Sequence, residues 1–364
     1  MSDPKVHHYF VVILIAAAFL LLMRTQAKRQ YPELSDNSAK EYIFQGERHF
    51  RNLRQLTFEG KNIDANFSPD GKKLVFQYFD DETPCSKIYI MDIKSGETKL
   101  ASPKSGMATS GNFQYPNNDK IVFSSNHHGN KSCFPSHDPR EDSSWQLPEG
   151  HDIFRTEASG IKMVNLTNQK GYDSEATVAQ NGSRIVYTSI ISKDLEVWTM
   201  NVDGSDRRML TNQLGYDGEP LFSHDGRKIV WRAYYPKTED EIVAYNILIS
   251  KKMIRPMNFQ ILAMNSDGTN KQQITQNKGA NYAPFFFPNN ERIVFFSNMA
   301  DPKGKDFDLW AINLDGTNLE QITFYDGFDG FPTFSPNGKY FVFTSDRNQA
   351  RVGDTNLFIA EWIN

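Results

Sequence analysis

Cysteine is nearly absent from this chain: two residues in 364 exclude a disulfide-built scaffold, so the fold must rest on a buried core. Positive charge is not in excess either. Lys and Arg number 40 against 44 Asp and Glu, and a net charge of −4 gives no electrostatic footprint for nucleic acid. Signatures of chemistry are missing as well. There is no G-x-S-x-G elbow, no H-E-x-x-H pair and no phosphate-cradling glycine loop, so the motifs lead to no catalytic role and no cofactor. Long apolar runs reduce to one. Tyr9–Met23 reads "YFVVILIAAAFLLLM", fifteen residues without a charge, short of the ~20 a spanning helix needs unless His7, His8 and Arg24 snorkel at its ends.

That run divides the chain into a short tail (1–8), a transmembrane or signal-anchor helix (9–24), a linker (25–49) and a folded domain (50–364). A cleaved signal peptide, with a small-residue site at "TQA" ending on Ala27, is the rival reading of the run. Arg24, Lys28 and Arg29 follow it while only Lys5 and the amino terminus precede it, the reverse of the positive-inside pattern. Orientation therefore rests on the cysteines. Cys85 and Cys133 lie 11 and 12 residues after the starts of the strands "LVF" at Leu74 and "IVF" at Ile121, in equivalent loops of neighbouring repeats. A disulfide between them implies an oxidising compartment; two free thiols remove that argument.

What the chain does contain is repetition. "GYDSEATVAQNG" from Gly171 returns 44 positions later as "GYDGEPLFSHDG" from Gly215. Related turns end at Gly71, Asp119, Gly182, Gly226, Asn290 and Gly338, and each precedes an apolar strand such as "KLVF" or "RIVY". A second turn, as in "NVDGSD" or "NLDGTN", leads to a closing strand ending at Thr167, Thr211, Thr275 or Thr323. Four strands per unit, six units and 13% aromatics predict an all-β fold, a six-bladed β-propeller. The last unit, "NLFIAEWIN", lacks a closing strand, whereas "RNLRQLTFEG" at Arg51 is a closing strand without a unit. The N-terminal strand is thus expected to complete the last blade and seal the ring.

The "FSPDGKKLVF" and "NLDGTNLEQIT" signatures resemble the TolB-like, WD-like repeat propellers of bacterial envelope proteins, over roughly residues 50 to 364. The resemblance implies a protein-binding role in envelope assembly or as an accessory subunit of a membrane complex, with partners in the membrane or envelope. The location it implies is the periplasmic side of the inner membrane, single-pass anchored, or the periplasm or exterior after signal cleavage.

Irregular material concentrates in the connections from second to third strand and from one blade to the next, which share one face of the disc and mark it as the working face. The insert Ser124–Glu149 carries His127, His128, His137, Asp138, Glu141 and Asp142, with His151 and Asp152 beyond it, but no metal-ligand spacing. Trp145 is a candidate partner anchor, or a pin that holds the loop. In the fourth blade, Thr238 and Glu241 form a capping-box pattern that predicts a helix over Glu239–Met253. Its stripe of Ile242, Tyr245, Ile249 and Met253 either packs on the propeller or serves as a lid or docking face.

Counting nine back from each turn end gives Asn62, Ser110, Asp173, Asp217, Asn281 and Asp329. Two residues further on come Asp64, Asn112, Glu175, Glu219, Ala283 and Phe331. First strands line a propeller's channel and alternate residues share a face, so these form two rings holding six acids and no Lys or Arg. Asp64, Asp173, Glu175, Asp217, Glu219 and Asp329 are therefore the channel candidates. They suit a cation, an amine or a basic segment, or else cap neighbouring loops. The alternative to a protein-binding module is a propeller that binds a small ligand or cation, or a metal-assisted hydrolase, built on this acidic channel.

Overall fold

A computed structural model describes residues 42–134, 138–141, 144–160 and 162–364. The apolar run expected to anchor the chain lies outside the described residues, and among those residues no helix is long and apolar enough to cross a membrane. The described chain forms six antiparallel four-stranded sheets. Each blade begins with an inner strand: Lys61–Phe67, Ala108–Phe113, Asp173–Val178, Tyr216–Phe222, Asn281–Phe286 and Asp329–Phe334. Each inner strand pairs with its apolar second strand, and the core lies between successive blades, where residues such as Val75, Ile121 and Phe154 interdigitate.

Local chemistry accounts for the repeat. In the first turn of blade 1, Ser68 Oγ accepts the amide of Lys73 while Asp70 accepts that of Lys72, and Gly71 takes the positive φ of +70° that closes the hairpin. The threonine ending each closing strand has a second task. The fourth strands are short, and where their ladders stop a side-chain hydroxyl accepts the third-strand amide: Thr167 from Ile153, Thr211 from Val197, Thr275 from Ile261 and Thr323 from Leu309. Ser102 does this for Ile88 in blade 1 and Thr57 for Leu357 in blade 6.

Thr57 belongs to the other end of the chain. Phe50–Gln55 is the fourth strand of the last blade and pairs with Asn356–Trp362, Phe50 opposite Trp362 and Gln55 opposite Phe358. A buried ionic clasp reinforces this closure. Arg347, 1% exposed, donates to both carboxylate oxygens of Glu47, to Asp329 Oδ2 and to the carbonyl of Tyr42, while Phe44, Tyr325 and Phe343 pack on its guanidinium.

The helix, α1, spans Glu239–Ser250 with the capping box of Thr238 and Glu241 in place. It stops short of the expected Met253. Lys251 caps it, Lys252 turns to φ +55°, and Met253–Ile254 instead pairs with Trp145–Gln146 in a two-stranded ribbon. The inserts of blades 2 and 4 are thereby joined. Tyr245 is buried and its hydroxyl bonds to Asp194, so α1 packs on the propeller. Ile242 and Ile249 are half-buried, while Val243 and Ile247 are exposed.

Candidate functional site

The register of every inner strand slips at the same place, between Ile63 and Asn66 in blade 1 and at the equivalent step in the other five. The first residue of each slip has a left-handed φ: Asp64 (53°), Ser110 (53°), Glu175 (57°), Glu219 (51°), Ala283 (43°) and Phe331 (51°). These are β-bulges, and they re-aim one side chain per blade into the channel. The second bulge residue is Ala65, Gly111, Ala176, Pro220, Pro284 or Pro332, small or lacking an amide proton, as a broken ladder permits. The carbonyl freed at four of these positions is taken by the neighbouring blade: Asn66 donates to Gly111, Asn112 to Ala176, Thr177 to Pro220 and Thr333 to Ala65.

Asp64, Glu175 and Glu219 therefore converge, and the remaining acids do not. Asp173, Asp217 and Asp329 stand two residues earlier, before the bulge, and are buried behind the channel wall. Asp173 accepts from Gln169, Asp217 from Trp231 and Tyr235, and Asp329 from Arg347. The two-ring reading assumed unbroken alternation, which the left-handed residue interrupts. In blade 2 the count also slips by two, because the span from Phe113 to Ile121 is one residue longer than that from Phe67 to Leu74 and its turn ends earlier than Asp119. Ala108 and Ser110 hold the places given to Ser110 and Asn112.

The bulges line a chamber of about 220 Å3. Blades 1, 3 and 4 supply the acids, blades 5 and 6 an apolar wall of Phe285, Phe296, Phe331, Pro284 and Pro332, and the blade-2 insert contributes Phe134, Pro139, Trp145 and Pro148. Arg232, from the second strand of blade 4, is 4% exposed and sits between two of the acids, 3.1 Å from Glu219 and 3.8 Å from Glu175. Its guanidinium lies 5.0, 4.8 and 4.8 Å from the ring centroids of Tyr216, Phe259 and Tyr282. The outer oxygens of the two acids are engaged: Glu175 accepts the amide of Glu219, and Glu219 that of Ala283. His151 is 1% exposed at the wall, stacked on Tyr172, and neither ring nitrogen has a hydrogen-bond partner among the described residues.

Burial dominates the titration of these groups. It raises Asp64 to about 6, with Asn66 opposing and Glu175 adding. Burial raises Glu219 too, against the attraction of Arg232 and with the repulsion of Glu175 and Asp64. Burial works against the charge of Arg232, but Glu219, Tyr216 and Glu175 outweigh it and hold the proton on. His151 is pushed down to about 3, a neutral imidazole at any ordinary pH.

Sequence reasoning missed Arg232, although the signal was present. The corresponding second-strand positions hold Gln77, Ser124, Thr188, Phe296 and Thr344, so an arginine inside "KIVWRAY" needed a buried counter-charge. Of the proposed partner-face residues, Trp145 and Met253 lie in the ribbon, Tyr245 and Ile249 pack inward from α1, and Ile242 is half-buried. Among the described residues no three His, Cys, Asp or Glu side chains converge as metal ligands; His137 and Asp142 lie outside them. Cys85 and Cys133 are joined in a disulfide, Cα atoms 4.9 Å apart, which links the second-to-third connections of blades 1 and 2.

The fold and site define a six-bladed propeller with a channel that a pair of joined inserts overhangs. No family model matches the chain. Among solved structures it is similar to TolB from Acinetobacter baumannii, at 18% identity and TM-score 0.56 over 74% of this chain and 55% of that one. It is also similar to a protein assigned as TolB from Agrobacterium tumefaciens, at 18% identity and TM-score 0.53 over 84% and 91% of the two chains. Hydrazine synthase from Kuenenia stuttgartiensis follows at 13% identity and TM-score 0.51, over 72% and 39%. These likenesses show a TolB-like propeller fold, and the chain spans about half the length of the Acinetobacter protein.

The buried acids make stability depend on pH. Asp308 is raised to about 8 and Asp64 to about 6, and burial raises Glu196, Asp217 and Glu219 as well. Each such carboxyl holds its proton in the folded chain at pH values where the unfolded chain has lost it. Its contribution is therefore full below the ordinary value near 4 and is lost as pH rises through the folded value. His127 and His151, pushed down to about 4 and about 3, act oppositely below ~6.5, but they are outnumbered. The melting temperature should be higher at pH 5.5 than at pH 8.0 by roughly 3 °C or more, measured by differential scanning fluorimetry. A flat or rising profile over that interval contradicts the assignment.

Proposed function

We propose that this protein is a membrane-anchored, extracytoplasmic propeller that binds a protein partner through its insert-bearing face, as an accessory subunit of an envelope or membrane complex. The observation that carries the reading is the construction of that face. Irregular connections on a propeller are usually separate loops, but here a disulfide ties blade 1 to blade 2 and a ribbon ties blade 2 to blade 4. Such preorganisation lowers the cost of ordering a surface on binding. Over it α1 presents Val243 and Ile247, 56% and 49% exposed, beside Lys251 and Lys252. The disulfide favours an oxidising compartment. The Arg347 clasp holds Tyr42 and Glu47 at this same face. The likeness to TolB structures supports an envelope setting.

Crosslinking mass spectrometry on the full chain, purified from its native membrane in mild detergent, tests this. A stoichiometric partner should crosslink to Lys237, Lys251 or Lys252. Crosslinks confined to Lys94 and Lys271, in turns of the opposite face, or no partner at all, would remove the reading.

A further inference from the structure

We infer that the chamber is a binding site for a small organic cation, an amine carried on an aromatic or apolar body. This goes beyond the partner-binding reading and does not depend on it. The first ground is charge. Three carboxylates of different blades, Asp64, Glu175 and Glu219, face one guanidinium, that of Arg232, which leaves the wall short of positive charge. Glu175 and Glu219 are partly used, each holding a neighbouring amide and sharing Arg232. Asp64 is not: among the described residues its carboxylate meets only the side-chain amide of Asn66, at 3.3 Å. A half-buried carboxylate with so little support either keeps its proton or takes a cation.

The second ground is independent of the acids. Among the described residues, both ring nitrogens of His151, 1% exposed at the chamber wall, lack a hydrogen-bond partner. A buried polar atom of this kind calls for a partner, and at the chamber wall a ligand can supply one. A ring nitrogen of neutral His151 can accept a hydrogen bond from a ligand N–H, and an ammonium has three to donate.

The third ground is shape. Across from the acids stand Phe285, Phe296 and Phe331, and the volume of about 220 Å3 falls below the roughly 300–1,000 Å3 of drug-sized sites. A ring of metabolite size fits that wall, with its cation over an aromatic face or against Asp64. An inorganic ion has less to hold it. Arg232 occupies the space between Glu175 and Glu219, and no metal-ligand set converges among the described residues. Among the described residues the remaining ionisable neighbours do not supply the missing charge: Tyr172 and Tyr282 stay neutral because burial raises both, and Arg140 is paired with Asp138 at 2.8 Å and Asp346 at 2.6 Å.

The test is isothermal titration of the full chain in mild detergent at pH 7.5 with three probes of one shape: phenethylamine, 2-phenylethanol and phenylacetate. The amine should bind saturably, the neutral alcohol at least ten-fold more weakly and the anion not measurably. Titration of the amine near pH 6.5 in two buffers of different ionisation enthalpy should show net proton release, as Asp64 and Glu219 ionise against the ligand. Asp64→Asn should weaken the amine at least ten-fold and leave the melting temperature unchanged or raised. An amine that binds no tighter than the alcohol overturns the proposal, as does a preference for phenylacetate, which would make Arg232 the anchor. So does binding with no proton release. The three-probe comparison uses the unaltered chain, so its outcome does not depend on how the variant folds.

Discussion

Arg347→Ala should destabilise the chain by about 3–5 kcal/mol, the usual cost of breaking a buried ion pair by removing one partner. The side chains of Arg347, Glu47 and Asp329 are 1%, 0% and 0% exposed, so the substitution leaves two carboxylates without their cation and without water. It also frees the carbonyl of Tyr42 and the aromatic faces of Phe44, Tyr325 and Phe343. The damage should be local at first. Residues 42–47 lead into the strand Phe50–Gln55 that closes the ring, so limited proteolysis should cut within residues 42–49 in the variant and not in the parent. The loss should be smaller at pH 5 than at pH 8. Asp329, already raised to about 6 by burial, can take a proton there instead of a counter-ion. Arg51 supplies the control. It bonds to Glu361 of the same blade at 2.7 Å, but its side chain is 62% exposed, and Arg51→Ala should cost less than about 1 kcal/mol. Equal melting temperatures for the two variants would mean that the clasp does not hold the ring shut.

The second large effect is expected from the double substitution Cys85→Ala with Cys133→Ala. The two cysteines are 48 residues apart, and closing a loop of that length restricts the unfolded chain by about 4 kcal/mol in the loop-entropy account. The folded side contributes as well. Phe134 is adjacent to Cys133 and lines the chamber, so its connection should loosen and binding in the chamber should weaken along with stability. Thermal unfolding of the parent with and without reductant reads the same quantity without any substitution. A melting temperature that reductant does not move, or two thiols that alkylate in the denatured and unreduced chain, would refute the bond and take with it the argument for an oxidising compartment.

Much of the architecture was legible because it is written in local chemistry. Asp-Gly and Asn-Gly turns followed by apolar strands mark hairpins wherever they occur, and Thr238 with Glu241 starts a helix with no help from the rest of the fold. Strand pairing between Phe50–Gln55 and Asn356–Trp362 followed from counting, since one unit lacked a strand and one strand lacked a unit. The helix end was not legible. Met253 continues the apolar stripe of α1, and only the presence of Trp145–Gln146 makes a strand of it.

The channel divides along the same line. By itself the sequence determined six blades, the order of their strands, the face that bears the inserts and the placing of acids on inner strands, because each depends on residues near one another in the chain. Tertiary structure alone decided which acids meet. A left-handed residue in every inner strand turns Glu175 and Glu219 toward the channel and leaves Asp173 and Asp217 behind it, a choice that alternation cannot express. It also set Arg232 between two carboxylates of neighbouring blades, joined Cys85 to Cys133 and brought Trp145 to Ile254. Those encounters exist only once the ring has closed and fixed the distances between blades.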